Sequence, residues 1–214
     1  MRISRMSAVP ILVLLISWGV AAAVEEAADD PVIVIETRAT ALAEKLQGRQ
    51  DYYSANNHEL YGLVRNILLP GFDVDYASKL VLGRAHWTAA SVAQRSAFND
   101  AFYDFLVRTY SKGLIGFDQS DMSIEPQARY SKDNRKALVS TSVMLESGDA
   151  VGINYALRKT EAGWKMYDVR IDGVSYIQNY RSQFDAEISA LGIDAVIERL
   201  EAESSATDSA GDAA

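Results

Sequence analysis

KALVSTSVMLESGDAVGINYALRKTEAGWKMYDVRI, residues 136–171, alternates apolar and polar side chains at a period of two and breaks twice at turn residues. On an extended chain successive side chains point to opposite faces, so this alternation marks half-buried strands. Residues 136–145 predict one strand, with Val139, Thr141, Val143 and Leu145 on one face. Ser147, Gly148 and Asp149 supply a turn, being residues that tolerate tight backbone bends. Val151, Ile153, Tyr155 and Leu157 alternate on the next strand, and Glu161, Ala162 and Gly163 turn the chain again. Lys165, Tyr167, Val169 and Ile171 alternate on the last strand, opposite Trp164, Met166, Asp168 and Arg170. Residues 123–130 read as a strand before these. Four consecutive strands with short connections make an antiparallel meander.

Upstream the period is that of a helix. Ile33, Ile35, Ala39, Leu42 and Leu46 lie at three- and four-residue spacing. Asn56 and Glu59 have the spacing of a capping box before a helix whose apolar face is Leu60, Leu63, Val64, Ile67 and Leu68, ended by Pro70. Asp73 can cap a helix that stops at Gly83, with Tyr76, Ala77, Leu80 and Val81 inward. Ser91 and Gln94 form a second capping box, followed by Phe98, Ala101, Phe102, Phe105, Leu106, Thr109 and Tyr110 on one face. Downstream, Val174, Ile177, Phe184, Ile188 and Leu191 face inward on a helix that Gly192 breaks, and residues 193–202 close the fold. Helices, then a meander, then helices predict an α+β protein: helices packed on a twisted four-stranded antiparallel sheet enclosing an apolar pocket.

The first 23 residues differ from the rest. Arg2 and Arg5 precede a nearly continuous apolar run over residues 9–20, too short for the ~20 residues that span a bilayer. Ala21, Ala22 and Ala23 then supply small residues at a cleavage site. Residues 1–23 therefore read as a signal peptide cut after Ala23, which sends the chain to the periplasm. Residues 24–30 read as a mobile leader, 31–202 as a single domain and 203–214 as a disordered acidic tail.

The chain of 214 residues has a formal charge of -8 and no cysteine. The charge argues against nucleic acid, which binds mainly through Lys and Arg on phosphates. Without cysteine there is neither a disulfide nor a lipid-anchored N-terminus. His58 and His86 stand apart with no partner at ligand spacing, so no metal site is expected, and no cofactor motif appears. Asp168 lies mid-strand beside Tyr167. It reads as the partner of Arg181 in a structural ion pair, with a general base in a cavity isomerase as the rival reading.

Trp164, Tyr167, Asp168 and Val169, then Asp172, Gly173, Val174 and Ser175, then Asn179, Tyr180, Arg181 and Phe184 resemble the MlaC family, the periplasmic phospholipid-binding proteins also called toluene-tolerance proteins. A second block agrees: Pro70, Gly71, Phe72 and Asp73, then Val81, Leu82, Gly83 and Trp87, then Phe98, Phe102 and Tyr110. The likeness covers about residues 35–202; Tyr176 stands where an aliphatic residue is common. It implies a nuclear-transport-factor-2-like fold and a carrier without catalysis. Such a carrier exchanges phospholipid with an outer-membrane lipoprotein complex and an inner-membrane ABC transporter complex, docking transiently, and maintains outer-membrane lipid asymmetry. A hopanoid or other apolar lipid is the alternative ligand. Acyl chains offer no hydrogen bonds, so the lining is expected from apolar faces: Phe102, Leu106, Tyr110, Val139, Val143, Ile153, Tyr155, Tyr167, Val169, Ile171, Val174 and Ile177.

Overall fold

The computed structural model describes residues 30–211 except Glu146. The expected signal peptide, and all of the expected leader but Asp30, lie outside the described residues. Helix α1, Pro31–Leu46, starts where Asp30 accepts a hydrogen bond from the Val32 N–H at 2.8 Å. Pro31 fits there because the first helical N–H has no partner to lose.

Helix α2, Gln50–Ala55, has no counterpart in the sequence reading; it is a single short piece anchored by buried Tyr53. Helix α3, Asn57–Leu68, begins at Asn56, but the expected capping box does not form. The Asn56 amide donates back to the Tyr52 carbonyl instead, at 2.8 Å, because α2 ends immediately before it. A 3-10 turn, Leu69–Gly71, follows at Pro70.

Helix α4, Val74–Ala89, is capped by Asp73 as expected but does not stop at Gly83. Gly83 takes φ 64 and ψ 175, and the helix resumes beyond the kink, which places His86 in the helix. That backbone region is essentially reserved for glycine. The Arg181 guanidinium also lies 3.2 Å from where a Gly83 side chain would begin. Gly83→Ala is therefore expected to cost about 1–3 kcal/mol, read as a lowered urea midpoint; an unchanged midpoint would show the kink to be dispensable.

Helix α5, Val92–Ser111, carries both halves of the Ser91/Gln94 capping box, at 2.9 and 3.1 Å. Beyond the strands come helix α6, Tyr176–Leu191, and helix α7, Ile193–Gly211. Helix α7 runs past Ala202 into the expected tail, because Val196 and Leu200 are fully buried and Ser204 continues the inward face. Leu191, expected inward, is exposed beside the Gly192 break.

The strands are β1 (Met122–Ile124), β2 (Arg129–Tyr130), β3 (Lys136–Met144), β4 (Ala150–Thr160), β5 (Gly163–Ile171) and β6 (Val174–Ser175). They form an open antiparallel sheet in the order β1-β3-β4-β5-β6, with β2 also on β3. The single strand expected over 123–130 is two pieces on the same edge of β3. Pro126 lies between them and cannot donate to a ladder. The fold is α+β, with the helices packed on this sheet, as expected; the sheet has six strands among the described residues rather than four.

Three apolar clusters hold it together. The largest joins α4, α5, α6 and α7 around Phe98, Phe102, Tyr180 and Phe184. Their ring centroids lie 5.3–5.8 Å apart in edge-on and stacked pairs. Such pairs contribute roughly 0.5–1.5 kcal/mol each beyond the area they bury. A second cluster joins α1, α2, α3 and α5 through Leu42, Leu46, Tyr53, Leu60, Val64 and Val107. The third sets Ile35 of α1 on the sheet against Ala137, Val139, Leu157 and Trp164.

Candidate functional site

Strand register decides which side chains share a face. Val139 pairs with Tyr155 and Tyr155 with Val169; Thr141 pairs with Ile153 and Ile153 with Ile171; Val143 pairs with Val151. These rows make one face, apolar but for Thr141, whose hydroxyl donates to the Ile153 carbonyl at 3.3 Å. Its lower end, at Ala137, Val139 and Leu157, is covered by α1. Val143, Val151, Ile153, Val169 and Ile171 are half-buried, yet among the described residues they join none of the three core clusters. A half-buried aliphatic row on the inner side of a sheet, outside any packed core, is the kind of surface that lines a ligand site.

A register shift between Ala156 and Leu157 alters the expected lining. Asp168 lies opposite Ala156 but Met166 lies opposite Leu157, leaving Tyr167 as the extra residue of a β-bulge. The bulge reverses the alternation. Trp164 and Met166 therefore join the apolar face and pack in the third cluster. Tyr167 turns to the other side, where its ring meets Tyr76 at 5.1 Å and the Lys136 ammonium at 5.7 Å. The Tyr76 hydroxyl holds the Lys136 pKa above its ordinary value. Tyr167 is thus not on the expected wall.

Burial sorts the other expected residues. Phe102, Val139 and Ile177 are 1%, 0% and 9% exposed and belong to the packed clusters. Val174 is 62% exposed at the end of the sheet, so it forms a rim rather than a wall. Leu106, Val143, Ile153, Tyr155, Val169 and Ile171 are half-buried. Tyr110 is partly exposed at the end of α5, its hydroxyl 2.7 Å from that of Tyr180 and its ring 5.1 Å from Tyr176. Val151 completes the apolar rows; it shares the alternation but was not singled out from the sequence.

Asp168 has different partners from the one expected. It is 5% exposed and accepts hydrogen bonds from the Ser175 hydroxyl at 2.7 Å and the Ile177 N–H at 3.2 Å, with the Arg170 Nε at 3.5 Å. Arg181 lies against Gly83 instead. Both carboxylate oxygens are engaged at the start of α6, turned away from the apolar rows. His86 meets Asp185 at 2.8 Å, an α4–α6 contact. Among the described residues no group of three His, Cys, Asp or Glu is placed to hold a metal ion.

The family model for MlaC protein matches residues 36–202. The toluene tolerance protein ttg2D of Pseudomonas putida is 25% identical over 158 residues, covering 74% of this chain and 73% of that protein. The intermembrane phospholipid transport system binding protein MlaC of Haemophilus influenzae is 25% identical over 174 residues, covering 80% of each. A phospholipid-binding protein from Ralstonia solanacearum, solved in complex with a phospholipid, superposes with a TM-score of 0.73 at 24% identity, over 83% of this chain and 98% of that one. That likeness establishes the shared fold.

Proposed function

This chain belongs to the MlaC family, and on that footing we propose that it is a phospholipid-binding transport protein of the periplasm. The observation that carries this reading is the half-buried aliphatic face of Val143, Val151, Ile153, Val169 and Ile171, outside the packed clusters. Leu106, Tyr110 and Tyr155 complete the proposed lining. Each CH₂ taken from water is worth about 0.8 kcal/mol, so a diacyl lipid leaves a bilayer only into an apolar container. The container has to match the bilayer rather than exceed it, or the lipid would never be released. No chemistry on the lipid is proposed.

In this reading the protein shuttles phospholipid between an outer-membrane lipoprotein complex and an inner-membrane ABC transporter complex, and so maintains outer-membrane asymmetry. The carrier only equilibrates; direction comes from the ATP-driven partner. No helix among the described residues is long and apolar enough to cross a membrane.

Protein purified without detergent and extracted with organic solvent is expected to yield near-stoichiometric diacyl phospholipid by mass spectrometry. A hopanoid in its place would change the ligand. Empty protein that also takes nothing from liposomes would make the aliphatic rows ordinary core and end the carrier reading.

A further inference from the structure

The aliphatic rows end at the corner where β5 passes into β6, and three tyrosines meet there. Val174 of β6 lies opposite Ile171 of β5, so it carries the row of Ile153 and Ile171 out to solvent. Tyr176 follows it closely as the first residue of α6. Its ring lies 5.1 Å from that of Tyr110, at the end of α5, and 6.5 Å from that of Tyr180. Tyr110 is 37% exposed and Tyr176 is half-buried, so the corner is open to an incoming molecule.

What each hydroxyl can reach fixes the direction of its hydrogen bond. Tyr180 is 5% exposed, and the Tyr110 hydroxyl, at 2.7 Å, is its one hydrogen-bond partner among the described residues. A buried O–H is nearly always donated to something, so Tyr180 donates to Tyr110. Tyr176 turns to the same oxygen. Burial raises the pKa of Tyr176 and of Tyr180, and the neighbouring Tyr110 hydroxyl raises both further, in part by hydrogen bonding. A phenol whose pKa a hydrogen bond raises is the donor in it, since ionisation would lose that bond. The Tyr110 oxygen thus accepts from two neighbours. Its own O–H has no acceptor among the described residues and sits on a side chain that is partly exposed.

We propose that the Tyr110 hydroxyl is the polar contact of the lipid site, donating to an acceptor oxygen of the bound phospholipid where its chains leave the apolar rows. That oxygen is either an acyl-ester carbonyl or a phosphate oxygen. The inference rests on the carrier reading. Acyl chains held along the rows bring their ester linkages to the place where the apolar wall ends, and the corner of Val174, Tyr176 and Tyr110 is such a place. A few fixed polar groups in a mostly apolar site orient its ligand. A donor at this corner fixes how far the chains enter, which an aliphatic surface alone does not. Tyr176 and Tyr180 act as positioning residues: by donating to Tyr110 they leave its O–H to point away from them.

The test compares the full protein with Tyr110→Phe and with Tyr110→Phe/Tyr180→Phe. Each is equilibrated with limiting vesicles holding equal parts of diacyl phosphatidylethanolamine and its dialkyl-ether analogue, which has no ester carbonyl, and bound lipid is quantified by mass spectrometry. Tyr110→Phe is expected to lower the urea midpoint, because the Tyr180 O–H is left buried without an acceptor; the double variant removes both partners and is expected to restore it. Both variants are expected to lose the same contact to lipid, about two- to tenfold in uptake. A wild type that prefers the diester by such a factor, with the preference gone in both variants, identifies the ester carbonyl. A wild type that takes both lipids alike, with both variants taking less of each, identifies the phosphate oxygen. A double variant with the wild-type midpoint that loads both lipids as the wild type does overturns the contact and leaves the carrier reading intact. A wild type that loads neither lipid defeats the carrier reading, and the contact falls with it.

Discussion

Val169→Arg is expected to abolish lipid uptake while leaving the sheet formed. Val169 sits in the middle row of the apolar face, in register with Tyr155 and, through it, Val139. It is half-buried and outside the packed clusters, so the strand tolerates a larger residue better than Val139, which is fully buried. A guanidinium there stays hydrated only while the site holds water. An acyl chain would strip that water away and leave a charge facing hydrocarbon, which costs several kcal/mol. At 1.4 kcal/mol per tenfold, uptake should fall about a hundredfold or more. Val143→Arg should do less. Val143 precedes Met144, which is 50% exposed at the sheet's end, and a long side chain there can carry its charge out to solvent. Uptake from liposomes, with circular dichroism to confirm the fold, separates the two. Equal uptake by folded Val169→Arg and wild type would remove this face from the site.

The fold was legible where period and capping chemistry act locally. The Ser91/Gln94 box, the Asp73 cap and the β3–β4–β5 meander follow from side chains within a few residues of each other. What the sequence hid depends on distant partners. The bulge at Tyr167 is set by pairing with Ala156 and Leu157, and strict alternation put Tyr167 on the wrong face. Gly83 reads as a helix stop, yet the chain kinks there and continues, with the Arg181 guanidinium, distant in sequence, packed against the glycine. The motif residues proved more informative about architecture than about lining. Phe98, Phe102, Tyr180 and Phe184 form the helical core, while the aliphatic rows that best fit a ligand carry little motif. A lining has only to be apolar and open, so many residues serve at each position. A packed aromatic cluster or a buried polar contact admits few.

Asp168 is the buried polar contact on which α6 depends, and Asp168→Ala is expected to destabilise the protein by about 1–3 kcal/mol for each buried donor it leaves unsatisfied. Its Oδ2 accepts from the Ser175 hydroxyl, whose own oxygen accepts from the Gln178 N–H at 3.1 Å; its Oδ1 accepts from the Ile177 N–H. Two of the otherwise unpaired N–H groups at the start of α6 are thereby satisfied, one directly and one through Ser175. The carboxylate also places negative charge at the positive end of the helix dipole. This relay fastens the helix to β5 by joining Asp168 to Ser175 across the turn between β5 and β6. Truncation to alanine leaves buried donors with nothing to meet. Asp168→Asn keeps the shape but turns an amide toward at least one donor, so it should lose part of that stability. The cavity-isomerase reading requires something else of Asn: unchanged stability with a catalytic step lost. Urea unfolding midpoints together with lipid uptake by the folded fraction distinguish them. A lowered midpoint with normal uptake in Asp168→Asn makes Asp168 the clasp of α6. An unchanged midpoint in Asp168→Ala would mean that the relay holds nothing, and the start of α6 would need another anchor.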